Sequence, residues 1–202
     1  MILEDFKDRS GLWVTQVHWH KRCAWTRSGS VWNNMRRRCI PNGRTQSRLP
    51  TYVGCTLSDN FKDFQYFVEW SNKQVGFGID NYQLDKDLLF RGNKMYSEDT
   101  CIYVPKPLNM FLCSHNKTRG KYKTGVYYEP DRNKYQAKIQ LVNSHKHLGR
   151  YGTEDEAHEV YKVAKEAEAR RWAARLEAGE YLVDEKLITI LRNWTWDSYE
   201  QQ

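Results

Sequence analysis

The sequence contains no run of eighteen apolar residues and so offers no candidate for a membrane-spanning helix. Its start, MILEDFKDRSGLW, has neither the basic n-region nor the apolar h-region of a secretory signal, so the protein is expected to be soluble and cytoplasmic, with no membrane partner. The five cysteines (Cys23, Cys39, Cys55, Cys101 and Cys113) are odd in number and lack CxxC spacing, which argues against a disulfide framework or an ordinary structural zinc site. They read as reduced core thiols, with Cys39, Cys55 and a histidine as the zinc alternative. Neither an internal repeat nor a low-complexity tract is present, which leaves ordinary packed domains.

Apolar residues make up 40% and aromatics 14% of the 202 residues, enough for one large core or two small ones. Thirty-two basic residues stand against 25 acidic, a formal charge of +7 with a pI near 9.1. Such a surface suits a polyanion, and nucleic acid is the expected partner.

Along the chain, WVTQVHWH (13–20) alternates apolar and polar residues as a half-buried strand does, with His18 and His20 among its polar positions. SVWNNMRRRC (30–39) puts Trp32 and Met35 on one face of a short helix and Arg36, Arg37 and Arg38 on the other. With Arg44 and Arg48 continuing the same sign, this is either a solvated face or a phosphate contact. Ser58 caps a predicted helix through FKDFQYFVEW, with Phe61, Phe64, Phe67 and Val68 as its core stripe. YQLDKDLLF then reads as a strand, RGNK as a turn, CIYVP as a second strand and PLNMFLC as a helix opened by Pro107.

The polar, basic stretch SHNKTRGKYKT (114–124) reads as a linker and sets the expected domain boundary, 1–116 against 117–202. Beyond it come three short strands and a long helix. Thr153 and Glu156 form a capping box for that helix, and Ala157, Val160, Tyr161 and Ala164 form its buried face. Gly179 ends the helix, and YLVDEKLITILRNW supplies a closing helix in which Leu182, Leu187, Ile190 and Leu191 pack back. In KYQAKIQL, Tyr135, Ala137, Ile139 and Leu141 share one side, leaving Lys134, Gln136, Lys138 and Gln140 on the other. A three-stranded sheet with such a polar side fits the DNA major groove.

The string GVYYEPDRNKYQAKI followed by HLGRYGTEDEAHEVYKVAK resembles the ethylene-response-factor (ERF, APETALA-type) DNA-binding domain. Gly125, Val126, Tyr135, Ala137, Ile139, Leu148, Gly149, Tyr151, Thr153, Glu156 and Ala157 carry the likeness, which covers about a third of the chain. The resemblance implies DNA-reading positions at Tyr127, Lys138, Gln140, His145 and His147. Plant members have arginine and tryptophan at several of these, so their target sequence does not carry over. Lys117, Arg119, Lys121 and Lys123 form a basic arm expected to touch phosphates just before the sheet.

The segment LDKDLLFRGNKMYSEDTCIYVPKPLN resembles the HNH, or ββα-metal, nuclease motif of phage homing-type endonucleases, and the Trp32–Cys39 string and PTYVGC point the same way. The likeness implies metal ligands at Asp85 and Asn109, a supporting Asn93, and Mg2+ (or Mn2+) as cofactor. One carboxylate and one amide oxygen leave most of the ion's shell for water and a phosphate oxygen. Where the family has its histidine base this chain has Lys86, whose ammonium, held charged by Asp85 and Asp87, can stabilise a phosphate but not take a proton near pH 7. His115 and the His18/His20 pair are substitute bases if the fold brings them close.

The expected architecture is therefore α+β, an HNH-like ββα unit followed by a three-stranded antiparallel sheet packed on a helix. The expected function is metal-dependent hydrolysis of duplex DNA targeted by the ERF-type domain, in a host cell's cytoplasm if the protein is phage-encoded. The rivals are an HNH-derived binding protein without cleavage, serving as a regulator or anti-defence factor, and an RNA-binding protein that stacks single-stranded bases.

Overall fold

The computed structural model describes residues 5–7, 13–15, 27–112, 121–141 and 144–196. The chain forms two compact units, Met1–Val104 and Pro105–Gln202. The boundary expected at 116/117 lies outside the described residues, and the helix Lys106–Leu112 belongs to the second unit.

In the first unit, β1 (Asp5–Lys7) and β2 (Trp13–Thr15) pair antiparallel, with Phe6 opposite Val14. The helix α1 (Arg27–Cys39) buries Trp32 and Met35, as their spacing predicts. It is followed by α2 (Arg44–Arg48) and the two-residue strand β3 (Thr56–Leu57). The single helix expected after Ser58 is two: α3 (Asp59–Lys62) and α4 (Phe64–Asn72). Ser58 caps the first through Phe61 N–H, but Asp63 accepts from Gln65 N and Tyr66 N and so starts the second. A carboxylate that satisfies two first-turn amides competes with continuing the preceding turn. Phe61, Phe64 and Phe67 still reach one core, shared with Trp32, Cys55 and Tyr96.

The predicted strand YQLDKDLLF is cut short to β4 (Tyr82–Asp85), and β5 (Met95–Tyr96) and β6 (Ile102–Pro105) follow. β4 pairs with β6, while β5 runs parallel to β3. The strand stops because Asp85 Oδ1 accepts hydrogen bonds from Asp87 N and Leu88 N, an Asx turn that offers the backbone an alternative to the ladder.

The second unit opens with α5 (Lys106–Leu112), whose last turn is tied to the long helix α6 (Glu154–Glu177) by the Lys165 ammonium, buried on the Phe111 carbonyl and ring. Between them β7 (Val126–Glu129), β8 (Lys134–Gln140) and β9 (His145–Tyr151) form an antiparallel sheet in that order, packed on α6. The fold is thus α+β with a three-stranded antiparallel sheet. Val126, Ala137 and Ala157 meet beneath the sheet, flanked by Tyr122, Tyr135, Leu148 and Tyr151. The close approach is set at Gly125 (φ +80°), where a Cβ would fall 2.1 Å from the Tyr161 ring.

The capping box of α6 is formed as its sequence predicts: Thr153 Oγ1 accepts from Glu156 N at 3.2 Å and Glu156 Oε2 from Thr153 N at 3.2 Å. Thr153→Ala is expected to cost about 1 kcal/mol of stability, read from the urea midpoint. The closing helix is shorter than expected, α7 (Glu185–Arg192), with Leu187 and Leu191 fully buried. Leu182 lies before the helix and is exposed; Tyr181 lies near the ring of Trp172 instead. The burial that the periodicity did not reveal is that of Trp194 and Trp196, the latter edge-on to His158 and Tyr161.

Candidate nucleic-acid interface and the Asp85 loop

The polar side of the sheet is built by strand alternation and one irregularity. Lys138 is paired with His147 and Gln140 with His145, so these four side chains share a face. Between Ala137 and Lys138 the register slips by one residue, with Leu148 as the extra residue on β9. Without the slip, plain alternation from His147 would send Arg150 inward. With it, Arg150 pairs with Gln136 and joins the outward row, while Tyr151 turns to the core. Gly149 makes the slip feasible: its φ is +135°, and a Cβ there would lie 2.6 Å from the Tyr151 hydroxyl, which donates to Leu148 O.

The outward face is therefore Tyr127, Lys138, Gln140, His145, His147 and Arg150. Tyr127 is half-exposed, with the Lys138 ammonium 5.6 Å from its ring centroid, and Gln140, His145 and His147 are exposed. Arg150, not among the positions named from the sequence, reaches across β8 to Glu129 through Nε at 2.7 Å and Nη2 at 3.4 Å. That ion pair holds the Glu129 carboxyl below its usual range, chiefly through the hydrogen bond. Gln136, expected on the open face, is buried there, flanked by its cross-strand partners Tyr127 and Arg150. The remaining face offers alternating cationic, imidazole and amide donors, the groups that read guanine and adenine edges.

The basic arm is only partly available to phosphates. Lys117 and Arg119 lie outside the described residues, as do His18, His20 and His115. Lys121 is exposed beside Tyr122. Lys123 is instead tied to the start of α6, its ammonium 2.6 Å from Asp155 and its amide on Glu154. Acidic residues in a helix's first turn are favoured by the dipole, and here they also engage that lysine.

In the first unit, Asp85, Lys86 and Asn93 come together in one loop. Asn93 Nδ2 donates to Lys86 O at 2.7 Å and Met95 O at 2.6 Å, while its Oδ1 accepts from Met95 N, so the amide closes the loop. Lys86 is 4% exposed. Its ammonium donates to Asp87 Oδ2 at 3.0 Å and Asn93 O at 2.9 Å, and lies 5.7 Å from the Tyr96 ring centroid. Lys86, expected to stabilise a phosphate, is thus held by fixed partners: a buried ammonium must find them, and the Asn93 carbonyl and Asp87 supply them. Beneath it, Arg38 donates to the Tyr96 hydroxyl at 3.2 Å and stacks on Tyr52.

Burial, and then the neighbouring Asp87 charge, push the Asp85 carboxyl up to about 7. Desolvation also opposes ionisation of Asp87, but the Lys86 ammonium and a hydrogen bond shared with Asp85 outweigh it and hold Asp87 low. Asp85 is thus shifted towards its neutral form and Asp87 towards its carboxylate, which the Lys86 ammonium pairs. Asn109, the other expected ligand, is half-buried on α5 in the second unit. Cys39, Cys55 and Cys101 are buried free thiols, Cys39 pushed up to about 12 by burial and by Cys55, so it stays protonated at neutral pH.

No family model, curated protein or solved structure matches this chain.

Proposed function

We propose that this protein binds duplex DNA, laying the outward face of β7–β9 in the major groove, and that its first unit is an HNH-like scaffold. The observation that carries the reading is the row of Lys138, Gln140, His145 and His147, exposed or half-exposed on one face of a sheet whose other face is packed on α6. A rigid sheet presenting hydrogen-bonding side chains at fixed spacing is suited to base edges, and the surplus of seven positive charges favours the phosphate backbone. Selection from a pool of random duplexes with the full-length protein is expected to enrich one motif. A pool that stays random after repeated rounds would refute sequence reading by this face.

A second reading, metal-dependent endonuclease, is favoured by the Asp85 carboxyl, whose pKa near 7 keeps it poised between its two forms. On this reading Asp85, with Asp87 beside it, would hold the divalent cation, the ion taking the place of the Asp85 proton. Bound Mg2+ or Mn2+ would polarise a phosphodiester and acidify water. Lys86, sealed on Asp87 and Asn93, takes no part in proton transfer on this reading. Nicking of supercoiled plasmid should then require Mg2+ or Mn2+, stop with EDTA, rise with pH through 7 as Asp85 ionises, and vanish in Asp85→Ala. Absence of nicking across that range leaves the HNH-like unit as a binding scaffold alone.

A further inference from the structure

We propose a second DNA contact in the first unit: a cleft at the α1–α2 turn that takes the phosphodiester backbone of duplex DNA between Arg37, Arg44 and Arg48. The inference rests on the duplex-binding reading and extends it to a surface with no part in the sheet.

From Arg27 to Ser58 the chain has six arginines and no Asp or Glu, where a composition of 25 acids in 202 residues would place about four. The six are not equivalent. Arg36 lies over the buried Trp32 ring, 4.4 Å from its centroid, and Arg38 is committed to Tyr52 and the Tyr96 hydroxyl. Arg37, Arg44 and Arg48 are exposed and, with Ile40, Thr45 and Leu49, line one cleft of about 570 Å3. With no carboxylate within this stretch of chain, three guanidiniums around one cleft repel one another, and an anion between them relieves that repulsion.

The arrangement is fixed from within. Gln46 is buried, and its Nε2 donates to Arg38 O and Tyr52 O, both at 3.0 Å, while its Oε1 accepts from Asn42 N at 3.2 Å. This one amide fastens α2 to the end of α1, and Gly43 N–H closes the turn onto Ile40 O at 3.1 Å. Arg44 and Arg48, four apart on α2, therefore face the same way at a set distance from Arg37. All three guanidiniums are at the surface, which fits a polyanion passing across the cleft better than an enclosed small phosphate. Guanidinium is weakly hydrated and pairs with phosphate oxygens in a fork, so each arginine can take one phosphate.

The test uses the full-length protein and a random-sequence duplex, with affinity measured by fluorescence anisotropy over a salt series. In Arg37→Gln/Arg44→Gln/Arg48→Gln the slope of log affinity against log salt should shrink by about two to three, at about 0.9 per lost phosphate contact. The lysine triple should restore most of it, and preference for a selected motif over random duplex should hold. Arg48→Glu alone, at an exposed position, should shrink the slope by about one or more, so that the inference stands or falls even if the triple variant misfolds. An unchanged slope in the glutamine triple and in Arg48→Glu, with duplex binding intact, overturns the cleft and leaves the sheet reading standing. Slope changes confined to single-stranded RNA overturn it in favour of an RNA contact. A parent that binds no duplex at low salt overturns both readings.

Discussion

Replacing Lys138 and His147 together by alanine is expected to weaken binding to a selected duplex motif by about a hundredfold, while random duplex loses less than about tenfold. The two residues are cross-strand partners on the outward face, so they would address neighbouring base edges in one groove. Each good base contact is worth about 1–3 kcal/mol, and about 1.4 kcal/mol is a factor of ten. His147 is exposed and Lys138 partly so, which leaves the sheet's packing on α6 untouched. Anisotropy on matched and random duplexes at one salt concentration measures the ratio directly. Equal losses on both would mean that this face touches phosphates only. Arg150→Ala should behave differently: it leaves the Glu129 carboxylate unpaired on the same face, so it should weaken both duplexes.

Asp85→Asn is expected to make the protein more stable at pH 8 and to abolish a decline in stability that the parent shows between about pH 4 and 7. The Asp85 carboxyl is raised to about 7, chiefly by burial, from about 3.9 in an unfolded chain. In that window the folded state holds a proton that the unfolded state has released, so stability falls as pH rises. Asp87 carries the opposite sign, its lowered pKa giving stability that is lost only as pH falls below the ordinary aspartate range. An asparagine at 85 keeps an oxygen for the Asp87 and Leu88 amides and supplies an N–H in place of the protonated carboxyl's O–H. Urea midpoints at pH 5 and pH 8 should therefore fall in the parent and stay level in the variant. A variant that declines as steeply as the parent would place the titrating group elsewhere. On the nuclease reading the same variant should cut no plasmid, so gained stability with lost cleavage would mark a strained catalytic carboxyl.

The second unit was largely legible in the sequence because its signals are local. Thr153 and Glu156 need only each other to cap α6, and the alternation of KYQAKIQL needs only a core on one side to decide which residues turn inward. The aromatic stripe at Phe61, Phe64 and Phe67 fixed a core in the same way, although Asp63 divided its helix. Composition set the expectation of a polyanionic partner, since charge depends on no contact.

Tertiary structure alone decided which of the charged residues are free to act. Lys86 reads in the sequence as a cation flanked by two aspartates, and only the fold shows that it is buried, with a carbonyl brought to it by Asn93 from seven residues away. Lys123 reads as part of a basic arm, yet Asp155, 32 residues further on, engages it. Arg150 was not among the sheet positions read from the sequence, yet a one-residue slip opposite Ala137/Lys138, accommodated at Gly149, puts it on the outward face. Within the arginine run, Trp32, Tyr52 and Tyr96 engage Arg36 and Arg38 and leave Arg37 exposed. Pattern and propensity act over a few residues, so the sequence by itself determined the elements and the sign of the surface. Pairing of a charge depends on groups that meet only when the chain has folded, and that is what the structure settled.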